Sequence, residues 1–358
     1  LKQFPILFLK KNIILKKKTL KRKNKKIFLK KFSSKNDFEE FFFQLLEKNL
    51  PFVYFEQLES NIENVKKSLL PIKPKSIYCP NFSNNTFLTF YIAIVKNISK
   101  STKLISAQHG GSYFCHSIVK SEYYERKISD KYLKWGMAKN KDKRVTNFGI
   151  IKSFDKIKND YKENKKVLLI HRMQRNYITE IDSYTSSIYT GEYFDGHYKF
   201  LKNVDQNIKN KILIRSKPVD YVKQWLFDKK HFKNIKKDLT GSQNFYELLN
   251  DSRIVVAEAL QTTYLESLSQ NIPTIVFTNH KSETFINEFK PCLVKLKKHK
   301  IFFDDPVDAA KHLNYCYNNL EEWWESKSVQ TTVKDFNYNN AHLLSKKNFI
   351  SNLKKVIS

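Results

Sequence analysis

Lys103-Leu104-Ile105-Ser106-Ala107-Gln108-His109-Gly110-Gly111-Ser112-Tyr113 is the stretch on which the reading of this chain turns. Residues 103–107 form a short run bounded by a glycine pair, which reads as a buried strand. In open parallel sheets ligands bind beyond the carboxyl ends of the strands, so His109 falls where a cleft would lie. Two successive glycines allow positive φ and close approach of the backbone to a ligand. His109 can serve as general base toward an acceptor hydroxyl, since an ordinary imidazole titrates near neutral pH. It can also donate to a phosphate or carboxylate. A histidine satisfied inside a tight turn is the plainer alternative.

Outward from this turn, residues 51–55, 76–79, 132–135 and 145–148 read as further buried strands, with helices over 37–49 and 84–98. Residues 155–166 are polar and Lys-rich, as in a linker. A second series of strands follows at 167–170, 211–215, 253–256 and 274–277, with helices at 197–209, 219–228, 243–250, 262–270 and 306–318. Strands alternating with helices imply βαβ units and mostly parallel sheets. The fold expected is α/β, with two Rossmann-like domains and a cleft between them. The expected divisions are a basic arm over 1–35, an acceptor and catalytic domain over 36–155, a nucleotide-binding domain over 156–340 and a C-terminal helix over 341–358. The chain begins at Leu1 rather than Met, so the first domain is expected to be incomplete.

The formal charge of +30 would ordinarily suggest nucleic acid or an anionic membrane. However, Arg numbers only seven against 58 Lys, and Ile, Asn and Phe abound, as a GC-poor genome imposes through its codons. Arg is the residue suited to bidentate phosphate recognition, so no nucleic-acid partner is expected. Thirteen basic and no acidic residues lie within 1–31. Such a segment can make peripheral contact with anionic membrane; a solvated arm is the preferred reading. No run of about 18 uncharged apolar residues occurs, so no membrane span is expected. Cys79, Cys115, Cys292 and Cys316 form no CxxC pair and suggest reduced thiols in a cytoplasmic protein.

Near the turn, Gln108 and Tyr113 offer acceptor contacts, and His116, Glu122, Glu125 and Asp130 offer alternative bases or partners, though each of these four alone reads as a solvated surface residue. Trp135 reads as core. In the second half, Arg172 and Arg175 follow strand 167–170, and Arg215 with Lys217 follows strand 211–215. Arginines at strand ends can hold a donor's phosphate through charge-assisted bonds. Thr262 and Thr263 can cap a helix whose free N–H groups bind phosphate. Glu266, one turn further, can accept from ribose hydroxyls. Solvated loop charges and an ordinary cap are the alternatives. There is no GxGxxG, P-loop, Gly-x-Ser-x-Gly or HExxH, and no Asp-x-Asp at a strand end. No metal and no cofactor are expected, with a nucleotide sugar as donor substrate. Asp304-Asp305 ahead of Pro306 reads as a helix start.

Together these landmarks resemble a family of transferases from bacterial surface-polysaccharide gene clusters, distantly similar to capsule Kdo transferases and CDP-glycerol polymer transferases. The resemblance rests on Gln108 to Tyr113, Ser129 to Gly136, Thr262 to Glu266, Asn271 to Thr274, Trp323 to Ser326, Val329-Gln330 and Phe336. It implies the GT-B arrangement of two domains, with the donor nucleotide on the C-terminal one. It also implies a catalytic His-Gly pair at the cleft, here His109 with Gly110 and Gly111. Relatives of this kind mostly use cytidine nucleotides, so the leading donor is a CMP-activated acidic sugar and the acceptor a surface glycan or lipid-linked glycan. Two positions depart from the family pattern. Phe114 stands where a glycine is expected, and Met137 where a tryptophan is expected. The alternatives are a CDP-alditol phosphotransferase and a basic RNA- or membrane-binding protein without catalysis.

Overall fold

The computed structural model describes residues 33–49, 52–171 except 153, 155, 159, 161 and 163, 187–216, 234–278 except 239, and 283–357. By its internal contacts the chain divides into two units: residues 1–75 with 85–102, and residues 76–84 with 103–358.

In the first unit the described residues form helices Asp37–Asn49, Phe52–Phe55, Leu58–Lys66 and Thr86–Ile98. Residues 52–55 are helical, not the strand expected. A short aromatic run has no period to separate strand from buried helix, and Asn61 Nδ2 donates to Val53 O at 3.0 Å, binding this turn to the next helix. Asn85 caps the last helix by accepting from Leu88 N at 3.0 Å. Tyr91 donates to Pro71 O at 2.7 Å, and Tyr54 packs on Phe90 with ring centroids 5.7 Å apart.

The second unit carries two wholly parallel sheets. The first runs β1 (Ser76–Tyr78), β2 (Lys103–Ala107), β3 (Lys131–Lys134), β4 (Val145–Asn147), in that spatial order. The second comprises β5 (Lys166–Ile170), β6 (Ile212–Arg215), β7 (Lys236–Asp238), β8 (Ser252–Ala257), β9 (Thr274–Phe277) and β10 (Phe302–Phe303), ordered β10-β9-β8-β5-β6-β7. Its first strand lies between the second and the fourth, the doubly wound order of a Rossmann sheet. β8 is buried along its whole length and β9 likewise, which is why residues 254–257 and 275–277 within them read as apolar runs. β7 and β10, three and two residues long, carry no pattern that a sequence reading can detect.

Helix 197–209 is two helices, Ser187–Asn203 and Gln206–Lys209. Asp205 between them is extended, and its Oδ1 accepts from Asn314 Nδ2 at 3.0 Å. The helix expected at 219–228 lies outside the described residues. Asp305 caps helix Pro306–Asn318 as anticipated, accepting from Val307 N at 2.8 Å and Asp308 N at 3.0 Å.

The chain end returns to the first sheet. Helix Lys346–Ile357 sets Phe349 against Phe148, ring centroids 5.3 Å apart, in a cluster with Ile105, Ala107 and Leu133. Before it, the end of helix Lys327–Asn340 meets the end of β3. Met137 N donates to Tyr338 O at 2.8 Å and His342 N to Trp135 O at 2.9 Å. Gly136 permits this approach, because a Cβ there would stand 1.8 Å from Asn339 O. Trp135, directly after β3, is fully buried in the core built around the second sheet. No helix among the described residues is long and apolar enough to cross a membrane.

His312 packs edge-on against Trp323, ring centroids 4.7 Å apart, and burial pulls its pKa down to about 4. Its neutral form is the folded form, so its contribution to stability is complete above pH 6.5 and is lost as the pH falls toward 4, by about 3 kcal/mol at most. Urea melts should show wild type losing more stability than His312→Phe between pH 7.5 and 5; equal losses would contradict this account.

Candidate functional site

Both sheets turn ligand-type residues toward their carboxyl edges. At the end of β2 the chain makes the Gln108-His109-Gly110-Gly111 turn. Gln108 is 2% exposed and fully used: its Nε2 donates to Gly110 O at 3.1 Å and its Oε1 accepts from Trp135 N at 3.0 Å. It shapes the turn.

Neither Gly110 nor Gly111 adopts positive φ. What Gly111 provides is proximity. A Cβ there would lie 2.3 Å from the carbonyl carbon and oxygen of Gln261 and 2.8 Å from Thr262 N, while Gly111 N donates to Thr262 Oγ1 at 3.3 Å. The first sheet's turn is thereby seated on the N-terminus of helix Thr262–Ser269, which follows β8. The threonines do not cap that helix. Gln261 occupies the cap without a side-chain bond, and Thr262 Oγ1 instead receives Gly111. Thr263 is partly exposed in the first turn.

The left-handed conformation falls on Phe114, at φ 56°, the position at which the resemblance leads one to expect glycine. Its ring is flanked by the Arg126 guanidinium at 5.1 Å and Lys134 Nζ at 5.0 Å from the centroid, cation–π contacts that offset the backbone strain. Phe114 N donates to Glu122 Oε2 at 2.9 Å, and Glu122 Oε1 accepts from Arg126 at 2.8 Å. Burial pushes the Glu122 carboxyl up and the Lys134 ammonium down.

His109 Nε2 contacts Tyr113 Oη and lies 3.6 Å from Glu125 Oε2. Glu125 is fully buried and Glu122 is 7% exposed, so neither is the solvated residue expected. Glu125, named from sequence among the alternative bases, lies one turn from Glu122 on helix Lys120–Ile128. Asp130 is not brought to His109. Its Oδ2 accepts from Leu104 N at 2.6 Å, at the opposite end of β2. His116 lies 3.9 Å from Glu283 Oε2 and bridges to Phe285.

On the second sheet Arg215 ends β6. Its Nη2 donates to Gln243 O at 3.0 Å, its guanidinium lies 5.2 Å from the Phe245 ring centroid, and its Nη1 is buried without a hydrogen bond among the described residues. Burial lowers its pKa, against Asp238 and Glu266 nearby, and an arginine remains charged nonetheless. Glu266 is 7% exposed and accepts from Tyr246 Oη at 3.0 Å, so Arg215, Tyr246 and Glu266 form one polar edge. Arg172, Arg175 and Lys217 lie outside the described residues.

Sequence reading missed the group at the switch point between β5 and β8. His171 follows β5 and Glu258 follows β8; Glu258 takes His171 Nδ1 at 2.9 Å and also contacts His197 Nδ1 and Tyr193 Oη. All are buried. Burial pushes Glu258 upward, but the two imidazoles outweigh it and hold the carboxylate well below the usual range. His171, His197 and Glu258 are the described residues whose types and spacing could hold a metal ion; here they bond to one another. Nothing in sequence joins His197 to a glutamate 61 positions away.

The family match covers residues 1–357 and is to the LIC12162 family transferases. The chain belongs to this transferase family. It is similar in fold to Staphylococcus aureus TarM, solved as a point mutant with fondaparinux, α-GlcNAc-glycerol and UDP. The TM-score is 0.53 and the identity 13%, over 85% of this chain and 59% of TarM. The chain thus spans less than two thirds of TarM's length. Weaker likenesses include the wall teichoic acid polymerase TagF (TM-score 0.41, 12% identity, 83% of this chain and 85% of that one) and WaaG, a glycosyltransferase involved in lipopolysaccharide biosynthesis (0.36, 11%, 84% and 80%). Among curated proteins none matches the sequence. The fold of this transferase is GT-B-like: α/β, with two Rossmann-like halves.

The glycine contacts give a paired prediction. Gly111→Ala should cost more than about 3 kcal/mol or prevent folding. In contrast, Gly110→Ala should stay within about 1 kcal/mol of wild type, since its Cβ would meet nothing nearer than 3.5 Å. Denaturant melts of both variants decide the matter; equal losses would refute the close-approach reading.

Proposed function

We propose that this transferase moves a sugar from a nucleotide donor to a bacterial surface glycan or lipid-linked acceptor, without a metal ion. The observation that carries the reading is the seating of the His109 turn on the helix that bears Glu266. A base on one sheet and a nucleotide-type edge on the other are thereby held in one site. In this reading the donor ribose lies on Glu266, and Arg215 and the N-terminal N–H groups of helix Thr262–Ser269 receive the phosphate. Their positive charge and the helix dipole stabilise the leaving phosphate. His109 faces the sugar and takes the acceptor's proton.

The UDP in TarM supports a nucleotide donor in this fold. A CMP-activated acidic sugar rests on the family resemblance alone, so the nucleotide itself has to be tested. The proposed site draws on unit 2 alone and makes no use of residues 1–32.

A thermal-shift panel with CMP, CDP, UDP, GDP and dTDP in chelator tests the reading. A nucleotide at about 100 times its Kd adds roughly 2.7 kcal/mol, a rise of roughly 5 °C. The expected result is a rise with CMP that is lost in Arg215→Ala and Glu266→Ala. A rise with UDP instead would keep the transferase reading and replace the cytidine donor. No rise with any nucleotide would overturn the donor site.

A further inference from the structure

The geometry points to Glu125 as the positioning residue that fixes which nitrogen of His109 carries the proton and stabilises the charge His109 acquires. This rests on the transferase reading of the site above.

Glu125 is fully buried on the inner face of helix Lys120–Ile128. A buried carboxylate is costly unless it is bonded and its charge is met. Oε1 accepts from Ser83 Oγ at 2.8 Å. Oε2 is buried without a hydrogen bond and stands 3.6 Å from His109 Nε2, an ion-pair distance and too long for a hydrogen bond. Among the described residues no Lys or Arg pairs with Glu125. Arg126, its sequence neighbour, is taken by Glu122 and Asp142. His109 is therefore the group that can meet this charge.

A carboxylate only accepts, so the face of the imidazole turned to it is the protonated one. Tyr113 Oη touches the same Nε2 and can accept there as well. The proton rests on Nε2, and Nδ1 is left as the basic nitrogen. Nδ1 makes no hydrogen bond among the described residues, and the His109 side chain is 22% exposed, so an acceptor can reach it.

During transfer the acceptor oxygen forms its bond to the anomeric carbon while the bond from that carbon to the donor phosphate oxygen breaks. The electron pair leaves with the phosphate, and the hydroxyl proton passes to Nδ1. The imidazolium so formed lies beside the Glu125 carboxylate, which stabilises it where water cannot.

Glu125→Gln keeps the side-chain shape and the Ser83 contact but removes the charge. With 15N-labelled histidine, assigned through His109→Gln, wild type should show His109 as the Nε2–H tautomer, and Glu125→Gln should lose that preference. In the transfer assay kcat should fall on the order of 10²-fold or more with donor KM nearly unchanged, because the wrong tautomer cannot accept the proton. Glu125→Asp should recover part of the loss. Should Glu125→Gln fail to fold, Ser83→Ala leaves the carboxylate present but unanchored and should still weaken the tautomer preference. An unchanged tautomer in either folded variant overturns the proposal even where kcat falls. If wild type transfers no sugar at all, the reading of function fails, yet the tautomer comparison still decides the Glu125–His109 pair.

Discussion

The contact between Gly111 and the Gln261–Thr262 backbone is the constraint on which the site depends. A single methyl group at Gly111 would collide with backbone atoms 2.3 Å away, and no side-chain rotation can relieve that collision. Backbone on backbone is therefore the only way the turn after β2 can rest on the helix after β8. Gly136 repeats the arrangement against Asn339 at the end of β3. Two glycines of a chain that has only seven thus hold the halves of the second unit together, and His109 sits next to one of those joints.

Around that joint the buried charges are grouped by what compensates them. Among the described residues Glu122 is met by Arg126, Glu258 by two imidazoles, and Glu125 by the Ser83 hydroxyl and His109. Arg126 and Lys134 also grip Phe114, so the residue in the left-handed conformation is held by the same cations that serve its surroundings. A glycine at 114 would take the left-handed backbone without strain but would give up both contacts. On the other sheet the Arg215 guanidinium lies by the Phe245 ring and feels the charge of Glu266, and its buried Nη1 has no hydrogen bond among the described residues. The groups proposed for base and donor belong to different sheets and to one connected unit.

Most strands of both sheets were legible because parallel strands covered on both faces carry short apolar runs, whereas β7 and β10 are too short to show one. The apolar stretches 254–257 of β8 and 275–277 of β9 are such runs. The His-Gly-Gly turn was legible because it follows such a run. The reason for its second glycine was not, since steric approach to a residue 150 positions away leaves no local trace. Residues 52–55 misled because aromatic residues favour strands wherever tertiary contacts do not decide. Glu125 was named as an alternative base, but its burial was hidden by its polar helix, in which a charged residue reads as solvated. The His171, His197 and Glu258 group was hidden by distance along the chain. Composition pointed to partners and carried little about the site.

The most direct test of the central claim is a crystal structure of the chain with its stabilising nucleotide bound. The account predicts the phosphate at the start of helix Thr262–Ser269, within reach of Arg215, with the ribose on Glu266 and His109 facing the phosphate side. A nucleotide bound elsewhere, with Glu266 still joined to Tyr246 and nothing beside His109, would contradict it.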